Sequence, residues 1–238
     1  MNLAVDLGNS FIKYGVFEED KLLLKKENIS RERLVENILS TDPDNIIIGS
    51  VSDDAEALKE EIRTNENCLV LSHKTPVPIN IKYKSPETLG VDRIAVAVGA
   101  QEIFPNQNCL VIDVGTCITY DLIDKKGNYL GGAISPGIDI KLRALHNYTA
   151  KLPLIDFAVY AEIVGTDTKS SILSGVVNGT IAEIGEMIRM YERKFAHLQI
   201  IICGGGSEFL KDKFIQEVHW LPELVLVGLN RILRYNVS

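Results

Sequence analysis

The segment Leu3-Ala4-Val5-Asp6-Leu7-Gly8-Asn9 recurs 107 residues later as Leu110-Val111-Ile112-Asp113-Val114-Gly115-Thr116. In each copy an apolar run ends on Asp, turns on Gly, adds a small polar residue and re-enters a β-rich run. Self-similarity at so long a period implies a duplicated lobe and not a short solenoid repeat. The runs of strands precede the helices in each copy, so each lobe should be built on a mixed sheet and not on plain β-α-β alternation. A length of 238 residues, set against a prior of ~150 per domain, gives about 1.6 domains. The repeat turns that fraction into two small lobes, 1–106 and 107–238.

The pattern along the chain agrees with this division. Asn2 to Asp6, Ser10 to Phe17 and Lys21 to Glu27 read as strands. Ser30 is positioned to cap a helix in which Leu34, Val35 and Ile38 recur at helical spacing. A buried strand at Asn45 to Val51, a helix at Asp53 to Arg63 and a strand at Cys68 to Leu71 follow. Pro76, Pro78 and Pro86 make His73 to Pro86 an irregular or extended connection, and a small-residue helix runs from Val91 to Phe104. The second lobe then reads as strands at Asn108 to Asp113, Cys117 to Ile123 and Tyr129 to Ile134. Helix or loop is expected from Pro136 to Tyr148, and a long helical region from Thr168 to Phe195. A strand at Leu198 to Cys203 leads through Gly204-Gly205-Gly206 to a short helix, and a helix at Leu224 to Tyr235 closes the chain.

Composition removes several classes. With 46% hydrophobic and 24% charged residues the chain is neither disordered nor membrane-spanning in type. Asp6 interrupts the first apolar run before a signal peptide could form. Cys68, Cys109, Cys117 and Cys203 are scattered singly, which fits reduced thiols in the cytoplasm and no zinc site. The four His show no ligand spacing. A net charge of −7 argues against nucleic acid as a partner, so any anionic ligand must be held by local cations and backbone amides.

The strand-Asp-x-Gly turn has a direct chemical reading. Gly lets the backbone approach a ligand, and the turn exposes N–H groups that cradle phosphate oxygens. Asp6 can hold Mg²⁺ directly or through water, while Asn9, Ser10 or Thr116 can donate to phosphate. Two such hairpins facing each other across a cleft would grip the β- and γ-phosphates of ATP. Lys13, in the strand leaving the first turn, can reach those phosphates. A single Asp-x-Gly is otherwise only a turn signal. Ile200 to Ser207 is an apolar strand running into a triple glycine, which allows close approach of a base or a phosphate. The chain has neither a G-x-G-x-x-G nor a P-loop fingerprint. Gly90-Val91-Asp92-Arg93 opens the small-residue helix. It is either an N-cap with a surface ion pair, or a site where Asp92 takes a proton from a substrate hydroxyl and Arg93 binds an anionic group. Gly175 and Gly179 read as a place where another element packs closely against a helix.

The ordered set resembles the type III pantothenate kinase (CoaX) family over nearly the whole chain. Asp6, Leu7, Gly8, Asn9, Ser10, Phe11, Ile12 and Lys13 are similar to its first phosphate motif. Gly90 to Arg93 is similar to its substrate motif, and Asp113 to Thr116, continuing through Thr119 and Asp121, to its second phosphate motif. Gly131-Gly132-Ala133-Ile134-Ser135-Pro136-Gly137 and Leu142 to Pro153 also match. Ser10 stands where Thr is common, Cys117 replaces a small residue, and Cys203-Gly204-Gly205 stands where Thr-Gly-Gly is common.

The resemblance implies the acetate and sugar kinase/Hsp70/actin superfamily fold, an α/β architecture of two duplicated RNase-H-like lobes with an interlobe ATP cleft. It implies ATP-dependent phosphorylation of pantothenate, the first step of coenzyme A synthesis, in a cytoplasmic homodimer. By motif matching Asp92 is the proton acceptor, Asp6 supports Mg²⁺ and Asp113 belongs to a monovalent cation, K⁺ or NH₄⁺. Gly115, Thr116, Gly204 and Gly205 belong with ATP. Tyr83, Gly90, Val91, Arg93 and Thr168 belong with pantothenate. Two alternatives stay open: a kinase of another hydroxylated substrate on the same fold, and a regulatory ATP-binding protein of the Bvg accessory factor type. The presence of Asp6, Asp92 and Asp113 together favours an enzyme.

Overall fold

The computed structural model describes residues 1–8, 12–50, 54–62 and 67–237. The first repeat forms β1 (Asn2–Leu7), in which Asp6 alone is not fully buried. The chain then forms β2 (Ile12–Glu18), β3 (Lys21–Ile29), α1 (Arg31–Thr41), β4 (Asn45–Ser50), α2 (Asp54–Ile62), β5 (Cys68–Val70), β6 (Asn80–Ile81) and α3 (Val91–Ile103). The second repeat forms β7 (Asn108–Val114), with Asp113 again one residue from the end and partly exposed between buried neighbours. It is followed by β8 (Cys117–Ile123), β9 (Asn128–Pro136), α4 (Ile138–Asn147), α5 (Thr168–Leu173), α6 (Gly179–Lys194), β10 (Leu198–Cys203), β11 (His219–Trp220) and α7 (Leu224–Val237).

The strand orders carry the duplication into three dimensions. One sheet runs β3-β2-β1-β4-β5 and the other β11-β10-β7-β8-β9-β6. Counted from each Asp-bearing strand the order is the same, with β6 added beyond β9. The first sheet is mixed, as expected: β1 is antiparallel to β2 and parallel to β4. Ser30 caps α1 by accepting from the Arg33 N–H at 3.4 Å, and α1 buries Leu34 and Ile38.

Packing groups the chain into two compact units. One comprises Met1–Cys109, Asp121–Gly131 and Glu223–Ser238; the other comprises Leu110–Tyr120 and Gly132–Pro222. The expected division at 106/107 follows the repeat, whereas packing assigns α7 to the first unit. In that unit Leu3, Val5, Tyr14, Leu34, Ile46, Ile48 and Leu58 belong to one core. In the second unit Leu110, Ile112, Ile118, Ile184, Ile200 and Ile202 belong to another.

The extended part of the His73 to Pro86 connection is the short strand β6, which pairs with β9. Three other local readings are corrected or narrowed. The long helical region is interrupted by a π-helical turn at Ser174–Asn178. Among the described residues a Cβ on Gly175 or Gly179 would meet nothing within 4 Å, so no described element packs closely there. The turn after Gly206 is a 3₁₀ turn, Glu208–Leu210. Burial pushes the Cys68 thiol up to about 11 and the Cys109 thiol up to about 12, in keeping with inert, reduced side chains. No described helix is long and apolar enough to cross a membrane.

Helix α3 is buried at every position from Arg93 to Ala100. A helix apolar on all faces must be covered on all faces, and α7 supplies part of that cover by a very close approach. A Cβ on Gly228 would overlap the Ala95 carbonyl, and one on Gly99 would lie 3.2 Å from the Gly228 nitrogen. Gly228→Ala should therefore destabilise the protein by about 1–3 kcal/mol through overpacking. Chemical denaturation checks this.

Candidate active site

The start of α3 collects the predicted substrate motif. Gly90 is the N-cap, Val91 the first helical residue and Asp92 the second. The Asp92 carboxylate folds back so that Oδ1 accepts from the Arg93 backbone N–H at 2.8 Å. Asp6 and Asp92, which come from different motifs, line one cleft together with Gly49, Ser50, Val91, Ala95, Val225 and Leu229.

The β1–β2 register places Asp6 opposite Lys13, and their side chains form an ion pair of 3.0 Å. Burial raises the Asp6 pKa, Lys13 works against the rise, and the negative charge of Asp92 adds to it. Leu7 ends β1 and Ile12 begins β2, with Gly8 exposed between them. Asn9, Ser10 and Phe11 lie outside the described residues.

Arg93 is 6% exposed and Asp121 is fully buried. Arg93 Nε donates to Asp121 Oδ1 at 2.8 Å, and the Tyr129 hydroxyl donates to the same oxygen at 2.7 Å. The guanidinium carbon stands 6.0 Å from the centroid of the Tyr83 ring, and Tyr83 and Tyr129 have their ring centroids 6.1 Å apart. Burial opposes the Arg93 charge, but Asp121, Tyr129 and Tyr83 together outweigh it and hold the pKa up. Among the described residues, Arg93 Nη2 is buried with no hydrogen-bond partner. A buried donor left unsatisfied costs ~1–3 kcal/mol, so its retention marks a position suited to an acceptor on a ligand.

In the second unit β7 and β8 are joined by the two-residue turn Gly115-Thr116. The Gly115 N–H donates to the Cys117 carbonyl at 3.0 Å, and the Gly137 N–H donates to the Thr116 carbonyl at 3.0 Å. The triple glycine lies directly over this turn: the Gly206 N–H donates to the Val114 carbonyl at 2.9 Å. Gly204 has φ +89°, and a side chain there would overlap Asp113 Oδ1 and the Val114 backbone. Gly205 opens onto free space. The structure thus joins two motifs that are nearly 90 residues apart in the sequence. Thr168 lies on a separate element: it is exposed as the first residue of α5, behind the capping box of Asp167 and Ser170.

Among the described residues no group of three or more His, Cys, Asp or Glu could hold a metal ion. Mg²⁺ needs no such group: it usually keeps several waters and binds through one or two carboxylates plus substrate phosphates.

Comparison with known proteins settles the family. The sequence profile described as type III pantothenate kinase matches residues 2–190. The chain belongs to the type III pantothenate kinase family. The type III pantothenate kinase of Cytophaga hutchinsonii is 37% identical over 100% of both chains. That of Flavobacterium johnsoniae is 39% identical over 100% of this chain and 99% of its own. Among solved structures, a conserved Campylobacter jejuni protein assigned to the Baf family of transcriptional activators superposes with a TM-score of 0.66 at 22% identity. That match covers 98% of each chain. The ROK hexokinase of Thermus thermophilus superposes with a TM-score of 0.55 at 13% identity, covering 99% of this chain and 98% of its own. These likenesses show the fold alone, an α/β architecture that a hexokinase also adopts.

In this type III pantothenate kinase family member Asp121, which resembles part of the second phosphate motif, has its Oδ1 engaged by Arg93 and Tyr129. Tyr129 was not singled out at all. A signal was present: Asp121 is a lone charge within the apolar strand Ile118 to Ile123, and such a charge is buried only with a partner. Asp121→Ala leaves the buried guanidinium uncompensated and should cost about 3–5 kcal/mol. Asp121→Asn keeps an acceptor and should cost less, an ordering that urea unfolding of the two variants will test.

Proposed function

We infer that the protein transfers the γ-phosphoryl group of ATP to the primary hydroxyl of pantothenate, giving 4′-phosphopantothenate in the first step of coenzyme A synthesis. Family membership supplies the reaction. The observation that supports its location is that Asp6 and Asp92, from two separate motifs, line one small pocket.

Phosphoryl transfer asks the protein for positioning and charge neutralisation more than for covalent chemistry. Asp92 accepts the proton of the attacking hydroxyl, whose oxygen forms the new bond to the γ-phosphorus while the bond to the bridging oxygen of ADP breaks. The Arg93 N–H bond to Oδ1 fixes the Asp92 carboxylate for that task. Arg93 offers its unpartnered Nη2 to an oxygen of pantothenate, with Tyr83 against the guanidinium. Gly90, Val91 and Thr168 complete the pantothenate contacts. Lys13 and the amides following Asp6, including those of Asn9, Ser10 and Phe11, bind phosphate. Gly115, Thr116, Gly204 and Gly205 bind ATP.

Asp6 would hold the Mg²⁺ of ATP, directly or through water, and that ion would supply charge neutralisation on the phosphates. Asp113 would hold a monovalent cation, K⁺ or NH₄⁺. Its carboxylate, partly exposed and flanked by the Val114 carbonyl, is an oxygen donor set of the right character for such an ion. The working form is a homodimer in the cytoplasm. The connection before α5 exposes Tyr148, Leu154, Val159, Tyr160, Ile163 and Val164, an apolar stretch that a second copy would cover.

A coupled assay for ADP tests the reading. Turnover should require pantothenate and run faster in K⁺ or NH₄⁺ than in Na⁺; ATP hydrolysis that ignores pantothenate would overturn it. Asp92→Asn should lower kcat by roughly 10²–10⁴ with the melting temperature kept, the range expected for loss of a general base. Asp113→Ala should erase the difference between K⁺ and Na⁺. Ile163→Asp with Val164→Asp should convert a dimer to monomers by light scattering if that stretch is the interface.

A further inference from the structure

The motif Ser135-Pro136-Gly137 ends β9 and leads into α4, and no role above uses its serine. Its anchor is Glu183 on α6. Ser135 Oγ donates to Glu183 Oε1, and the Tyr120 hydroxyl of β8 donates to the same oxygen at 3.3 Å. Lys141 of α4 binds the other oxygen, Oε2, at 2.6 Å and also reaches Thr180 Oγ1 at 2.9 Å. Burial opposes the Glu183 charge, but the bonds from Lys141 and Ser135 outweigh it and hold the pKa below the usual glutamate range. One carboxylate thus collects β8, β9 and α4 onto α6. Two residues beyond Ser135, the Gly137 N–H is bonded to the Thr116 carbonyl of the β7–β8 turn. The π-helical turn at Ser174–Asn178 immediately precedes α6, the helix that carries Thr180 and Glu183. Such turns are rare and are frequently found at functional sites.

We propose that Glu183 is a positioning residue for the Gly115-Thr116 turn: through Ser135 it fixes the Gly137 amide that holds the Thr116 carbonyl, and so sets the aim of the turn's nucleotide contacts. Lys141 makes this possible by neutralising the carboxylate, since a half-buried charge without a partner would draw water and loosen the anchor. The inference rests on the reading that this turn binds the phosphates of ATP. It concerns the nucleotide alone. Asp92, Arg93 and Tyr83 belong to the first unit and make no part of the Glu183 cluster.

The test compares the full-length protein with Ser135→Ala, Glu183→Gln and Glu183→Ala. Affinity for a non-hydrolysable ATP analogue is measured by calorimetry, and KM for ATP and for pantothenate by the coupled assay. Loss of a hydrogen bond to a charged group should weaken analogue binding and raise the ATP KM by about tenfold in Ser135→Ala and Glu183→Ala. The pantothenate KM should stay within twofold of wild type. The Ser135→Ala and Glu183→Ala effects should be far less than additive when combined, because they break one chain. Glu183→Gln keeps the shape and the acceptor for Ser135 and should retain most of the affinity. If Glu183→Ala does not fold, Ser135→Ala removes only one hydroxyl and decides the matter alone. Unchanged analogue affinity in a folded Ser135→Ala variant overturns the proposal, as does an equal rise in both KM values, which would mark general loosening. Because calorimetry needs no acceptor, a wild type that binds the analogue but leaves pantothenate unphosphorylated defeats the substrate reading without touching this one. A wild type that does not bind the analogue overturns both.

Discussion

The buried pair of Arg93 and Asp121 is the constraint to which the first unit conforms. Helix α3 is buried at every position from Arg93 to Ala100, an environment hostile to a guanidinium. Taking such a charge out of water costs several kcal/mol, and a carboxylate repays it only with good geometry and further hydrogen bonds. Asp121 and Tyr129 supply these from β8 and β9, and Tyr83 adds a ring beside the cation. The arrangement is poor as a source of stability and strong as a source of order. Because Asp121 uses the Nε edge, the guanidinium has a fixed plane and its Nη2 has a fixed direction. The neighbouring Asp92 then sits at the end of a helix that has no freedom to turn.

The two repeats show how one strand plan can carry two chemistries. Each places an Asp one residue before the end of a strand flanked by its hairpin partner and by a strand from beyond a helix. In the first unit the next strand returns Lys13 opposite that Asp, giving a paired carboxylate. In the second, the return is a two-residue turn clasped by backbone bonds from Gly137 and Gly206. Among the described residues the first copy thus shows a side-chain pair and the second a turn held by backbone bonds.

Much of this was legible in the sequence because long apolar runs bounded by glycine have few alternatives. Strands β8 and β10 match their expected limits, Cys117 to Ile123 and Leu198 to Cys203. The two-residue strands β6 and β11 are too short to show alternation and arise from pairing with neighbours already in place. The π-helical turn left no trace, since one extra residue in a helical turn does not disturb apolar spacing enough to be read. Gly175 and Gly179 promised a close neighbour, but small residues say only that a neighbour is permitted. The clusters around Asp121 and Glu183 were missed for a common reason. Each joins residues dozens of positions apart, and a lone acid in a strand or helix does not announce its partner.

The packing of α7 has a consequence for how the chain acquires its shape. Leu224, Leu226, Leu229 and Leu233 are buried in the first unit, yet they emerge from the ribosome long after α3, which ends at Ile103. Until then the surface of α3 around Gly99 stays uncovered, and the unit begun first is the one completed last. Contacts of such long sequence separation slow folding and leave apolar surface open to capture. The second unit, whose residues lie between Leu110 and Pro222, has no such wait.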